Sequence, residues 1–236
     1  MRVLKMATSG SKDFELDVAD YVEEAFERCG LELRTGYDLK TAQRSLNLML
    51  AEWANRGLNQ WTINQKTISA VQDTTVYTID TTNPTSVIDV LDVFVRETVS
   101  GTTSDLPLTK LSRAEYAHIA TKTSTGKPNQ YFVDKQITPT ITVWPAPDKS
   151  SAYTIYLNVL SRMDDADVGT NTMEVPFRFY PCLAAGLAYY IALKRTPDKV
   201  PLLKQLYEEE FERALSQDQS RASFRVAPDL TIYRIA

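Results

Sequence analysis

The spacing of apolar residues changes twice along this chain, and the two changes decide what it can fold into. Up to about residue 60 the bulky apolar groups recur at three and four. From Trp61 to about residue 162 they recur at two, and from Pro176 the spacing of three and four returns. A helix buries one stripe every 3.6 residues and a half-buried strand buries every second residue, so one kind of layer cannot account for the chain. With 43% of its 236 residues hydrophobic and 24% charged, there is apolar material for a core of each kind. The expected fold is α+β: an antiparallel helical bundle, an inserted antiparallel β-sandwich or barrel-like domain, and an extended C-terminal arm. The expected divisions are 1–60 for an N-terminal segment and helical hairpin, 61–162 for the β domain, 163–218 for the helices that complete the bundle, and 219–236 for the arm.

The first helix reads LDVADYVEEAFERCG, with Val18, Val22, Ala25, Phe26 and Cys29 on one face and Gly30 as a left-handed stop. A second follows TGYD, with Asp38 as its expected N-cap, Leu39, Ala42, Leu46, Met49, Leu50 and Trp53 as its stripe, and Gly57 at its end. The short connection predicts a hairpin in which the two stripes bury each other. Late in the chain, PFRFYPCLAAGLAYYIALKR is apolar nearly all round and predicts the most buried helix of the body. The last helix turns Leu203, Tyr207, Phe211 and Ala214 inward and Glu208 to Glu210 mostly outward.

Between the helical parts, TTVYTID, SVIDVLDVFVRET, QYFVD, TITVW and AYTIYLNVL are rich in β-branched and aromatic residues and bounded by turn formers. In AYTIYLNVL one face carries Tyr153, Ile155, Leu157 and Val159. WPAPDKSS, between the last two strands, is expected to be a hairpin connection whose prolines bar a central strand. Ser112 and Glu115 in SRAEYAHIA form a capping box for one short helix.

The search for chemistry returns few candidates. The one histidine, His118, has no cysteine nearby and no evident carboxylate partner. Neither a phosphate-binding loop nor a dinucleotide fingerprint nor zinc spacing occurs. In DDADVGTNTME, Asp165 and Asp167 have the first spacing of a calcium loop, but Gly169 falls on the third ligand position and Thr170 where glycine is required. Cys29 and Cys182 are expected to be buried, reduced thiols. No catalytic, cofactor or metal site is assigned. The formal charge of −4 and pI near 5.2 argue against a general nucleic-acid binder, no window approaches a membrane span, and the first residues lack the apolar region of a secretory signal.

The last sixteen residues, RASFRVAPDLTIYRIA, depart from this balance: three arginines stand against one acid, and bulky groups alternate with polar ones around Pro228. Phe224 and Val226 before the proline, and Leu230, Ile232 and Ile235 after it, can serve as anchors on an extended segment. The segment has too little apolar surface to fold by itself and is expected to order on binding a partner.

ATSGSKDFELDVADYVEEAFERCGLEL and TGYDLKTAQRSLNLMLAEWANRGLNQWTI, then ITVWPAPDKSSAYTIYLNVLSRM and VPFRFYPCLAAGLAYYIALKR, resemble the head-to-tail adaptor proteins of short-tailed bacteriophages, also called head completion or tail tubular proteins. The resemblance covers most of the chain and is most specific over the first two stretches. It implies a non-enzymatic virion protein of the head–tail junction, assembled in the host cytoplasm as a ring of generally twelve copies. That ring docks on the portal protein, extends the DNA channel and offers a platform to the tail nozzle protein, while genomic DNA passes through without specific binding. It also implies that the arm reaches the portal, through Phe224, Arg225, Val226, Leu230, Ile232, Tyr233, Arg234 and Ile235. No cofactor and no membrane partner is implied. Two alternatives belong to other classes: a virion-associated cell-wall hydrolase with unidentified carboxylates, and a weak nucleic-acid-binding module using the basic arm, for which Phe224 and Tyr233 are too few to stack bases.

Overall fold

A computed structural model of the chain describes residues 14–34, 36–56, 60–99, 101–150 and 152–218. The first helix, α1 (Val18–Arg28), opens with a capping box: the Asp20 amide donates to Asp17 at 2.8 Å, and the Asp17 amide donates to the Asp20 carboxylate at 3.2 Å. It closes as expected at Gly30, whose φ of 69° lets the amides of Gly30 and Leu31 donate back to the carbonyls of Glu27 and Phe26. The second helix, α2 (Gly36–Arg56), starts before Asp38, so that residue lies in the first turn and is not the cap. Its carboxylate instead accepts from Arg195 at 2.6 Å. Gly57, the expected stop, lies outside the described residues.

The other long helices are α4 (Tyr180–Arg195), entered through a 3-10 turn at Phe177–Phe179, and α5 (Val200–Asp218). A short helix, α3 (Arg113–His118), carries the expected Ser112–Glu115 capping box. The expected pairing of α1 with α2 needs correction, because α4 lies between their stripes and meets each of them more extensively than they meet each other. The physical reason is composition. Cys182 to Ala188, Ile191 and Ala192 are all buried, so α4 has no polar side to leave in water and takes a neighbour on every flank. Gly186 marks the tightest approach: a Cβ there would stand 2.4 Å from Met49 Sδ of α2 and 2.8 Å from the Tyr207 ring of α5.

The β part consists of two four-stranded sheets. One has the order β1 (Ile63–Ser69), β10 (Tyr153–Ser161), β3 (Val87–Val99), β4 (Thr102–Pro107) and is antiparallel throughout. The other has the order β2 (Val76–Thr78), β8 (Thr140–Trp144), β7 (Gln130–Asp134), β5 (Thr109–Leu111), with β5 and β7 parallel. A two-residue parallel ribbon joins β6 (Thr125–Gly126) to β9 (Ala146–Pro147). The inner faces share one core, to which the first sheet gives Val93, Val95, Ile155 and Leu157 and the second gives Tyr131, Val133, Ile141 and Val143. Among the described residues no closed barrel forms. The residues after Trp144 are not a hairpin, since β8 and β10 belong to different sheets and the connection crosses between them.

β1 and β10 pair along their length, with Ile63 opposite Leu160, so the chain enters and leaves the β part side by side. On the helical side of that junction, Trp61 packs on Phe179 with ring centres 4.5 Å apart. At the outer edges, Lys66 of β1 reaches Asp80 beyond β2 at 2.8 Å and ties the two sheets together. The amides of Thr82 and Asn83 also donate to Asp80, at 2.9 and 3.0 Å.

Two consequences are testable. Replacing Gly186 with valine puts a branched side chain where there is no room for a methyl group, and should lower unfolding free energy by roughly 3 kcal/mol in denaturant titration. The Asp80 carboxyl is lowered from 3.8 to about 2, first by Lys66 and then by the Asn83 and Thr82 amides against burial. A folded value below the unfolded one gives stability that is present above about pH 4 and lost as pH falls through about 2. Asp80→Asn should therefore cost roughly 2 kcal/mol at neutral pH and flatten the fall in stability between pH 4 and 2.

Candidate interaction surface

The eight arm residues singled out in the sequence, Phe224, Arg225, Val226, Leu230, Ile232, Tyr233, Arg234 and Ile235, lie outside the described residues. What the structure places is their root. α5 ends at Asp218, an acid at a helix C-terminus, where the dipole disfavours it. It is nevertheless buried, because Arg178 donates to one carboxylate oxygen and the Gln60 amide donates to the other at 3.0 Å. Arg178 in turn covers the faces of Trp61 and Phe179, at 5.9 and 5.6 Å. Asp218, the last described residue, is thus fixed beside the 3-10 turn that starts α4.

Next to that point a groove of about 770 Å³ runs between α1 and the start of α4. Its apolar lining includes Phe14, Leu16, Phe177, Tyr180 and Pro181, and its rim carries Glu15, Asp20, Glu23, Glu24 and Glu27. Among the described residues, the one cation on the lining is Arg28, and it is paired with Glu24 at 2.7 Å. Phe14 and Phe177 are 63% and 70% exposed, high for aromatic rings in a globular body. Sequence reading missed this surface. Phe177 stands in PFRFYP just before an apolar helix, where every ring reads as core, and Phe14 precedes the periodic part of α1.

Other candidates are placed plainly. Glu208 does not point freely outward: it takes two bonds from Arg56, at 2.6 and 2.9 Å, and Arg56 also donates to Glu52 at 2.9 Å while lying over the Tyr207 and Phe211 rings. Tyr190 and Tyr207 donate to Glu52, and Trp53 Nε1 donates to Tyr207 Oη at 2.8 Å. The bond from Arg56 holds the Glu208 carboxyl below its usual range, and burial pushes the two phenols up. These bonds link α2, α4 and α5 through Glu52, Arg56, Tyr190, Tyr207 and Glu208, so the network braces the helices.

The acidic loop that includes Asp165 and Asp167 also has a structural task. Carbonyls of Asn171 and Gly169 accept from the first amides of α1, and Asn47 of α2 grips the backbone of Ala166 at 2.8 and 3.3 Å. Among the described residues, no group of three or more histidine, cysteine or acidic side chains is arranged to hold a metal, and no helix is long and apolar enough to cross a membrane. His118 is exposed on α3; Cys29 and Cys182 are free and buried.

The described residues thus form a braced helical body and a β-sandwich on paired entry and exit strands, with an exposed aromatic groove beside the start of α4. In comparison with known families, the profile of the SU10 adaptor protein matches residues 14–229. The chain belongs to the SU10 adaptor protein family. Among curated proteins none matches it. As a member of that family it is a phage adaptor, a structural protein of the virion. The match runs through the whole described body of the adaptor and on to Asp229, so the first half of the arm, with Phe224, Arg225 and Val226, is part of the family pattern.

The root of the adaptor's arm can be tested by stability. Asp218→Ala leaves the Arg178 guanidinium and the Gln60 amide without their carboxylate, and thermal unfolding should report a loss of roughly 2 kcal/mol. Asp218→Asn keeps an acceptor for the amide and should lose less.

Proposed function

We propose that this adaptor assembles as a ring, of twelve copies, on the portal protein at the capsid vertex. There it extends the DNA channel and gives the tail nozzle protein its platform. The proposed division of labour follows the chain: residues 1–60 and 163–218 form the body of each copy, 61–162 an inserted β domain, and 219–236 an arm that anchors the copy to the portal. The family match through residue 229 carries this reading, because it includes part of the arm as well as the body.

Physical chemistry supports the same assignment. Phe224, Val226, Leu230, Ile232 and Ile235 present apolar groups along an extended segment, which suits addition to a strand edge or groove on a partner. Arg225, Arg234 and the polar face with Tyr233 suit an acidic rim, where charges steer docking more than they tighten it. Repetition around a ring turns weak single contacts into durable attachment. A net charge of −4 suits a lumen through which DNA slides without being gripped.

The test is assembly on isolated portal rings. The free chain should have the mass of a monomer, and the full chain should add to portal rings as a second ring in electron micrographs. Deletion of the residues after Ser220 should cut that assembly at least tenfold. Undiminished assembly by the deletion would remove the arm from this role.

A further inference from the structure

We infer that the groove between α1 and α4 is a docking site for this chain's own C-terminal segment, residues 219–236, in the free protein. The groove has two components that call for different things. Its floor, with Phe14, Phe177 and Tyr180, needs apolar side chains to cover it. Its rim, with Asp20, Glu23 and Glu27 left unbridged by Arg28, the one arginine among the described lining residues, favours cations. Residues 219–236 combine both needs: Phe224, Val226, Leu230 and Ile232 alternate with polar residues, and Arg221, Arg225 and Arg234 stand against the single acid Asp229.

Position favours this occupant as well. The segment starts from Asp218, which is bonded to Arg178, and the residue before Arg178 is the groove-lining Phe177. Six extended residues from Asp218 to Phe224 span about 20 Å. The rim from Asp20 to Glu27 is about 10 Å of helix. The segment is therefore long enough to reach the groove and to run the length of its rim. The N-terminal residues are a poorer fit: Ala7 to Lys12 next to Phe14 read ATSGSK and offer nothing bulky for the floor, and the bulky Val3, Leu4 and Met6 lie eight or more residues from Phe14 without the alternation that spans the rim.

Attachment within one chain needs little intrinsic affinity, because a short tether supplies a millimolar effective concentration. Rim charges this exposed are screened within about 8 Å at physiological salt, so they set direction and register while the apolar residues hold. The same Phe224, Val226, Leu230 and Ile232 cannot cover the groove and a portal at once. Docking in the groove is a property of the free chain and stands or falls separately from the portal reading.

The test uses the full chain with Glu23→Cys on the exposed rim and Thr231→Cys on the polar face of the segment, so that the apolar anchors remain. Cys29 and Cys182 are buried and do not compete. Mild oxidation at micromolar protein should give an intrachain disulfide, identified by peptide mass, at least tenfold faster than a control pair of Thr98→Cys with Thr231→Cys on the far hairpin. Adding Glu27→Lys, or raising salt to about 0.5 M, should slow it severalfold by weakening the rim. Equal rates for the two pairs would overturn the inference. So would a disulfide between chains that grows with concentration, which would assign the groove to a second copy, or faster closure by a Glu23→Cys, Lys5→Cys pair, which would assign it to the N-terminal residues.

Discussion

Gly186 lies where Met49 of α2 and Tyr207 of α5 close over α4, with no space left for a single methyl group. The rest of the body depends on that approach. A helix without a polar face must be covered on all sides, and three neighbours achieve this only if one crossing comes very near. Tyr207 cannot move aside to make room, because its hydroxyl holds Trp53 on one side and Glu52 on the other. The polar network around Arg56 therefore has a definite job. It fixes the ring that fixes the crossing, and it leaves its own charges paired in a place where an unpaired one would be costly.

The same body sets where everything else attaches. α4 begins with the 3-10 turn at Phe177–Phe179, and that turn serves three neighbours at once. Phe179 takes Trp61 at the entry to the β strands, Arg178 takes Asp218 at the foot of the arm, and Phe177 takes a place on the groove. β1 and β10 leave from this corner as a paired ribbon, so the sandwich hangs on two antiparallel strands and not on a single linker. A pull or a tilt on the β part is passed directly to the first turn of the central helix. Such a corner keeps the parts of the adaptor in one register.

Much of this was legible in the residues, for identifiable reasons. Stripes of α1, α2 and α5 and the inward face of β10 depend on local periodicity, and Val18, Trp53, Phe211 and Ile155 are all buried as expected. What periodicity could not say is which stripe meets which. Two adjacent stripes look like a hairpin until a third, fully apolar helix competes for both. The edge strand β4, reading TTSDLP, is exposed along its length and has no burial pattern to announce it. Asp38 looked like a cap because a short acid after a glycine and a tyrosine is a common helix start; its partner, Arg195, stands more than a hundred and fifty residues away. The groove was invisible for the same reason, since its aromatic walls, Phe14 and Phe177, stand more than a hundred and sixty residues apart.

The tail is where the sequence is most suggestive and where its neighbours matter most. Its arginines are an imbalance in an acidic protein, yet charge alone cannot hold an exposed segment at physiological salt. The alternation of bulky groups is the stronger feature, and it can be satisfied against any apolar surface with a compatible rim. One such surface lies on the chain itself, a few residues from the tail's root. If that surface bound the tail tightly, the segment would be lost to every other partner; a weak site made effective by its tether is the arrangement that still lets go. On the proposed reading a ring of portal sites would win through repetition, although each contact need be only modestly better than the groove. The proposed parking of the arm and its proposed use as an anchor thus require the same thing of Phe224, Val226, Leu230 and Ile232: enough apolar surface to cover a groove, and too little to stay there against a better one.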